Sequence, residues 1–476
     1  MSLLRSAPDM TGGAALAPAD VIRSGLCIGC GACVAQCAGE TVEMRLDVYG
    51  QMKPAGSRAW LNRPTMPLAA SCPFSPDAEN EDVIADSHFP DACGRDPLIG
   101  RYEAAYVGHA EEDAFRARGS SGGLVTWVAV ELLRKGLVDG VAHVAPSPGR
   151  KAEEPLFAYT ISRSVEALRQ GAKSRYYPVE LSGVLRTIRS VPGRYAVIGI
   201  PCFIKAVRLA TAQDPVLAER ITFTLGLFCG HMKSARMAES FAWQMGAGME
   251  EVTTLDYRVK SPDRPANWYR AQMSLSDGTT RVEDWWHMVD GDWGAGFFQN
   301  HACNFCDDVV AETADISFGD AWVEPYSSDG RGTNVVIVRS RKLHEIVSDG
   351  IASGRIVLEP VDAGFVAATQ AAGVRHRREG LSFRLTWRRA GLMPRKRVQA
   401  SSAGLSVRRK MIYRMRYGIA RWSHRIFLAA RLLRRPGLYL AWAKVALSTY
   451  HGLAYARGPV GRLVERLGLT GAEDGH

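Results

Sequence analysis

The chain has 476 residues, a formal net charge of +10, 46% hydrophobic and 23% charged residues, and ten cysteines. A chain of this length holds about two to four domains, and ten cysteines at close spacings argue against a disulfide-stapled secreted scaffold. The positive balance belongs to one end: residues 371–476 carry 23 Lys+Arg against 4 Asp+Glu, while the remainder is net −9.

In chain order, residues 1–20 read as a disordered, Ala/Gly/Pro-rich start with no basic, then apolar, export signal. A cysteine string follows, Cys27-Ile28-Gly29-Cys30-Gly31-Ala32-Cys33 and then Cys37, with Cys72-Pro73-Phe74 further on. Three cysteines at two-residue spacing on a Gly-containing loop converge soft thiolates on irons, and a distant Cys-Pro supplies the fourth ligand. Cys27, Cys30, Cys33 and Cys72 therefore read as one 4Fe–4S site within residues 21–95. The competing reading is structural zinc, but zinc sites pair two Cys-x-x-Cys hooks rather than three cysteines in a row. Cys37 lacks a partner triplet and its following proline, and reads as a free thiol, the alternative being competition with Cys72 for the first cluster. Cys93 lies in a Pro/Asp-rich linker around residues 89–94 and reads as ordinary.

Residues 100–190 open on Gly119-Ser120-Ser121-Gly122-Gly123, which leads into a helical run from Leu124 to Lys135 and a strand from Val138 to Val144. A glycine-rich entry into a helix presents backbone N–H groups and a positive dipole end, suited to a phosphate or pyrophosphate. The alternative is a capped helix start with no ligand. Lys173-Ser174-Arg175-Tyr176 offers charge to a phosphate and an aromatic face to a ring, or is a solvated turn. No G-x-G-x-x-G and no Walker A sequence is present, so a standard nicotinamide-binding turn or a P-loop is not supported.

In residues 191–370, Arg194–Pro201 and Ile221–Phe228 read as buried strands joined by a helix from Phe203 to Gln213, a parallel β-α-β unit. Cys202 and Cys229 then stand at the carboxyl ends of neighbouring strands, where α/β sheets bind ligands. With Cys303 and Cys306 they make a second set of four thiols, enough for another 4Fe–4S cluster. Alternatively Cys202 and Cys229 are core residues, and the Cys303–Cys306 hook holds zinc or nothing. His231 and Lys233 could supply a proton, and Asp307 and Asp320 could orient a cofactor or cap turns. Further strands are expected at 315–318 and 334–339.

The tail, residues 371–476, is helical in pattern over 406–435. Ile412, Met415, Ile419, Trp422, Ile426 and Leu433 form one stripe among arginines. It could dock on an anionic membrane surface, dock on an acidic redox partner, or pack on the body. Nucleic acid is not expected as a partner, since no recognised module accompanies the charge. The most apolar stretch, Gly437–Ala456, contains Lys444 near its centre and reads poorly as a spanning helix.

The stretches CIGCGAC with CPF, SSGGLVTWVAVELLRKGLVDGV, GAKSRYYPVEL, VIGIPCFIKAVR, LGLFCGH, CNFCDD, ADISFGDAW and GTNVVIVR run over about residues 21 to 340. In that order they resemble the coenzyme F420 hydrogenase/dehydrogenase beta-subunit family, and look most like a bacterial branch often associated with surface-polysaccharide genes. The resemblance implies a mixed α/β fold: an N-terminal ferredoxin-like iron–sulfur domain, a central α/β flavin and Fe–S domain, and a basic helical tail outside the shared core. It implies FAD beside Ser120, Ser121, Gly122, Gly123, Thr126, Lys173 and Ser174, and one or two 4Fe–4S clusters. The expected function is a cytoplasmic, or inner-membrane-peripheral, oxidoreductase passing electrons from ferredoxin or a similar donor through clusters to FAD and an organic substrate, with His231 as the proton donor. The alternatives are a non-catalytic relay subunit of a larger redox complex, linked to F420 or ferredoxin, and a polysaccharide-pathway assembly protein with a structural metal.

Overall fold

The computed structural model describes residues 14–37, 41–147, 154–388 and 391–468. Its centre is a mixed sheet of eight strands. In chain order these are β1 Ala104–Ala110, β2 Gly140–Pro146, β3 Phe157–Ser162, β4 Tyr195–Gly199, β5 Ile221–Leu227, β6 Ile316–Asp320, β7 Asn334–Val338 and β8 Ile356–Pro360. They lie side by side as β8-β1-β7-β6-β5-β4-β2-β3. The middle strands β2, β4, β5 and β6 are parallel. β3 closes one edge, and β7, β1 and β8 the other, all antiparallel to their neighbours. Continuous apolar runs such as Tyr195–Gly199 are what a strand covered on both faces requires.

The β-α-β unit forms as the sequence implies: β4, then helix Pro201–Gln213, then β5 paired parallel to β4. The helix expected after the Gly-Gly turn spans Leu124–Arg134 (α1). Gly123 precedes it at φ +82°, a left-handed conformation that favours glycine. A three-stranded antiparallel sheet, Val252–Val259, Arg270–Leu275 and Thr280–Asp284, stands apart from the main one.

The composition-based domain boundaries do not divide the core. Leu26, Ile28, Ala32 and Phe74 of the cysteine-rich region belong to one hydrophobic cluster with Leu185, Phe203 and Phe241 of the centre and Ile412, Ile419 and Phe427 of the tail. Ordered structure also starts inside the stretch expected to be disordered. Leu16 is buried and bridged to Thr65, and a helix spans Pro18–Arg23, while residues 1–13 lie outside the described residues. Part of the expected linker is likewise ordered: Phe89 is buried, and Gly94–Asp96 pairs with Gly100–Tyr102.

The tail forms the helices α2 Val407–Leu432 and α3 Pro436–Tyr455. Of the expected stripe, Ile412 and Ile419 are buried and Met415 and Ile426 pack against the core, but Trp422 and Leu433 stay exposed. Among the described residues no helix is long and apolar enough to cross a membrane.

Candidate functional site

The two cysteine sets meet at the carboxyl edge of the parallel strands. Cys27, Cys30, Cys33 and Cys72 line one cavity, closed by Pro18, Phe74 and neighbouring apolar side chains. Gly31 lets the loop turn at φ +81°, and a Cβ there would collide with the Glu180 carboxylate. Cys37 turns away from this cavity: its thiol donates to the Cys33 carbonyl at 3.4 Å and accepts from Trp60 Nε1 at 3.1 Å, as a free thiol would.

Cys202 opens the helix after β4, Cys229 follows β5, and Cys303 and Cys306 lie on or just after the short helical turn His301–Phe305. Cys202 is close enough to feel the charge of Cys306, Cys229 and Cys303, and also of Cys30 in the first set. The two sets therefore adjoin. Burial pushes the Cys72 and Cys303 thiols up to about 12 and Cys229 to about 11. Thiols this shielded become thiolates only when a cation compensates them, which is what iron does.

The donor chemistry fits a cluster. Among the described residues no three His, Cys, Asp or Glu side chains are grouped to hold a single metal ion. Soft thiolates are the donors an iron–sulfur cube takes, one to each iron.

A buried arginine, Arg377, closes the second set. Its Nη1 lies 2.5 Å from Cys306 Sγ and 2.8 Å from the Asp308 carbonyl, and its Nη2 donates to the Cys229 and Gly230 carbonyls at 2.5 and 2.7 Å. Lys396, also buried, pairs with Asp307 at 2.9 Å. Arg397 joins Glu312 at 2.6 Å and Asp82 at 3.0 Å. Sequence reasoning missed all three, because basic residues in a basic tail read as surface charge.

The Gly-rich loop and the lysine segment come together on the same sheet edge. Ser174 N donates to Ser120 Oγ at 2.8 Å, and Ser121 Oγ donates to the Thr333 carbonyl at 2.9 Å. Asn334 Oδ1 accepts the Leu124 N–H at 3.2 Å, which fixes the start of α1. A Cβ at Gly122 would come within 2.8 Å of Asn334 Oδ1 and the Gly108 carbonyl, so only glycine fits beneath the loop.

Cations surround this junction. Lys173 pairs with Asp256 at 3.1 Å, Arg116 with Asp329 at 2.9 Å, and Arg258 grips Asp320 at 2.9 and 3.1 Å. Lys260, another residue the sequence did not single out, donates to the Ser121 carbonyl at 2.6 Å. Burial, with Arg258, Lys173 and Arg116 nearby, lowers its pKa to about 7. Thr126 lines a cavity with Asp113, Phe115, Arg118, Arg169 and Ala172, whose Arg118 and Ala172 adjoin Gly119 and Lys173 in sequence.

An aromatic wall joins the loop to the second cysteine set. Tyr176 stands 4.8 Å, centroid to centroid, from Trp293 and 5.6 Å from Trp285. His231 stacks on Trp293 at 4.3 Å. It is buried, its Nε2 has no hydrogen-bond partner among the described residues, and burial together with Lys233, Arg416 and Arg377 keeps the imidazole neutral. Lys233 donates to the Phe297 carbonyl at 2.6 Å.

The fold and site together define an α/β protein that gathers two sets of buried and half-buried thiols and a cation-ringed Gly-rich loop along one sheet edge. The chain belongs to the coenzyme F420 hydrogenase/dehydrogenase beta-subunit family: its C-terminal model matches residues 193–364 and its N-terminal model residues 105–186, together just over half of the chain. The coenzyme F420 hydrogenase subunit beta of Methanosarcina barkeri is 23% identical over 56% of this chain and 85% of its own length. The same subunit of Methanothermobacter thermautotrophicus is 22% identical over 56% of this chain and 87% of its own. The coenzyme F420-dependent sulfite reductase of Methanocaldococcus jannaschii is 25% identical over 52% of this chain but only 36% of its own length. A chain of the F420-reducing NiFe hydrogenase complex from Methanosarcina barkeri superposes with a TM-score of 0.48 at 19% identity, over 63% of this chain and 99% of that one.

Proposed function

We propose that this protein is an iron–sulfur flavoprotein oxidoreductase that takes single electrons from a ferredoxin-like donor and delivers them in pairs to an organic substrate. The observation that carries the reading is the junction itself: eight thiols in two adjoining sets, and a Gly-rich loop ringed by cations, share one sheet edge. Cys27, Cys30, Cys33 and Cys72 would hold one 4Fe–4S cluster, and Cys202, Cys229, Cys303 and Cys306 a second. Ser120 to Gly123, Lys173, Ser174 and Lys260 would hold the phosphates of FAD. When bound, the clusters supply one-electron conduction and the flavin exchanges between one- and two-electron transfer.

The chain's own residues then have defined tasks. The thiolates fix the irons, and Arg377 offsets their charge. Lys173 and Lys260 neutralise phosphate, and Tyr176, Trp285 and Trp293 exclude water between the flavin side and the second cysteine set. His231 packs into this wall with its imidazole kept neutral, and is the candidate proton donor beside the second cysteine set.

Anaerobic purification with iron, sulfide and flavin analysis tests the reading. The expected result is about eight irons, about eight sulfides and one FAD per chain. Zinc without flavin would sink it.

A second reading, a relay subunit that works only inside a larger complex, is favoured by the hydrogenase subunits among the relatives. It separates on turnover: a relay stays inert toward small substrates when given reductant alone. Coenzyme F420 is then the hydride carrier to try on the flavin side.

Lys260 gives the flavin site a pH signature. An anionic phosphate favours the protonated amine, so binding takes up a proton wherever free Lys260 is neutral. With the free amine titrating near 7, affinity for FAD is expected to fall above pH 7, by at most about tenfold per pH unit. Lys260→Gln should weaken FAD and flatten this dependence. Fluorescence titration of the flavin-free protein between pH 6 and about 9 reads both, and an unchanged slope in Lys260→Gln would remove Lys260 from the site.

A further inference from the structure

Residues 406–456 contain no Asp or Glu but eleven Lys or Arg. Within this stretch α2 and α3 pack against each other as a hairpin, joined at Leu433–Arg435. The tip is apolar and unusually bare: Leu432 is 73% and Leu433 62% exposed. Arg431 precedes these leucines, and Arg434 and Arg435 follow them. The turn is held rather than loose, since Arg435 N donates to the Ala430 carbonyl at 2.8 Å and Leu433 N to the Ala429 carbonyl at 3.0 Å.

Arg414, Arg421, Arg425 and Leu432 recur at helical spacing along one exposed strip of α2, and Trp422 and Leu433 lie on the adjoining strip. Leu438 and the 67%-exposed Val445 continue the apolar surface onto α3 beside exposed Lys444. Among the described residues none of Arg414, Arg421, Arg425, Arg434, Arg435 and Lys444 pairs with a carboxylate, in contrast to Arg431 with Glu239 and Arg409 with Glu379. The inward side of the same helices is satisfied by the body, through Ile412, Ile419, Phe427 and Tyr439.

We propose that this hairpin docks the protein on an anionic lipid surface, with Leu432 and Leu433 entering the headgroup–acyl boundary and the surrounding arginines meeting lipid phosphates. Bare leucines followed by two arginines without a carboxylate partner match that boundary, where apolar insertion and attraction to anionic lipid act together. An acidic protein partner would answer the arginines, but would need an apolar patch set within its acidic surface to cover the leucines. The proposal does not rest on the cofactors, since no hairpin-tip residue belongs to either cysteine set or to the Gly-rich loop.

Co-sedimentation of the full-length holoprotein with vesicles tests it, using equal parts phosphatidylglycerol and phosphatidylcholine against phosphatidylcholine alone. The wild type should bind the anionic vesicles and not the neutral ones. Arg434→Gln with Arg435→Gln should weaken binding about 25-fold, at about fivefold per arginine. Leu432→Ser with Leu433→Ser should also weaken it, with cluster absorbance and circular dichroism unchanged. Equal binding to both vesicle types would overturn the proposal. So would undiminished binding by the leucine double variant, which would reduce the hairpin to a general polycation able to meet an acidic protein.

Discussion

Replacing Cys303 by serine is expected to halve the iron, from about eight to about four per chain, and to slow reduction of the flavin by ferredoxin by orders of magnitude. Cys303 is buried on the turn His301–Phe305, and its sulfur accepts the Met232 N–H at 3.3 Å. A serine oxygen is a hard, weakly acidic donor, and at a site that already pushes the thiol to about 12 the hydroxyl will not ionise for iron. The Cys27–Cys72 set keeps all its ligands, so its electron paramagnetic resonance signal should survive in the variant. That survival separates loss of the second cluster from misfolding. Iron unchanged in Cys303→Ser would mean that the second thiol set holds no cluster, and the route from the first set to the flavin would need another conductor.

The elements that frame this site were readable because their signals are local. The cysteine string, the apolar strand ending at Gly199, the second strand ending at Leu227 and the Gly-Gly helix entry each declare themselves within about ten residues. Cys202 and Cys229 converge because the β-α-β unit sends consecutive strands to the same edge, as its topology requires. Other features depended on partners far along the chain. Arg377 reaches Cys229 across 148 positions and Cys306 across 71. Lys260 reaches Ser121 across 139, and Asn334 fixes Leu124 across 210. Nothing in the neighbourhood of these residues marks them. Arg377, Lys396 and Arg397 look like the start of a solvated basic tail, yet they are buried because the carboxylates and thiols they face lie in the body. The tail's charge thus divides into two populations: inward arginines that offset the site, and outward arginines along the hairpin. Composition alone reports only their sum.

Arg377 is the residue whose loss should be felt most at the electron-transfer level. Four acceptors converge on its two terminal nitrogens: Cys306 Sγ and the carbonyls of Asp308, Cys229 and Gly230. Burial opposes the charge, but Cys306, Cys229 and Cys303 outweigh it and hold the guanidinium protonated. Reduction would add one negative charge to a cluster held by these thiolates, so the Arg377 cation in contact with Cys306 Sγ would stabilise the reduced state more than the oxidised one. Two unit charges about 5 Å apart at an effective dielectric of about 20 interact by roughly 3 kcal/mol. At about 59 mV per tenfold for one electron, this is on the order of 100 mV. Arg377→Met should therefore lower the midpoint potential of the second cluster by that order and leave the first nearly unmoved. It also strands the buried Asp308 carbonyl, at about 1–3 kcal/mol, and releases those of half-buried Cys229 and exposed Gly230, so the melting temperature should fall as well. Arg377→Lys keeps the charge without the planar fork; it should restore most of the potential and less of the stability. A redox titration followed by electron paramagnetic resonance separates the two contributions. A residue that only braces the loop would lower the melting temperature in both variants while the potential stayed in place, and that outcome would strip Arg377 of any electrostatic role at the cluster.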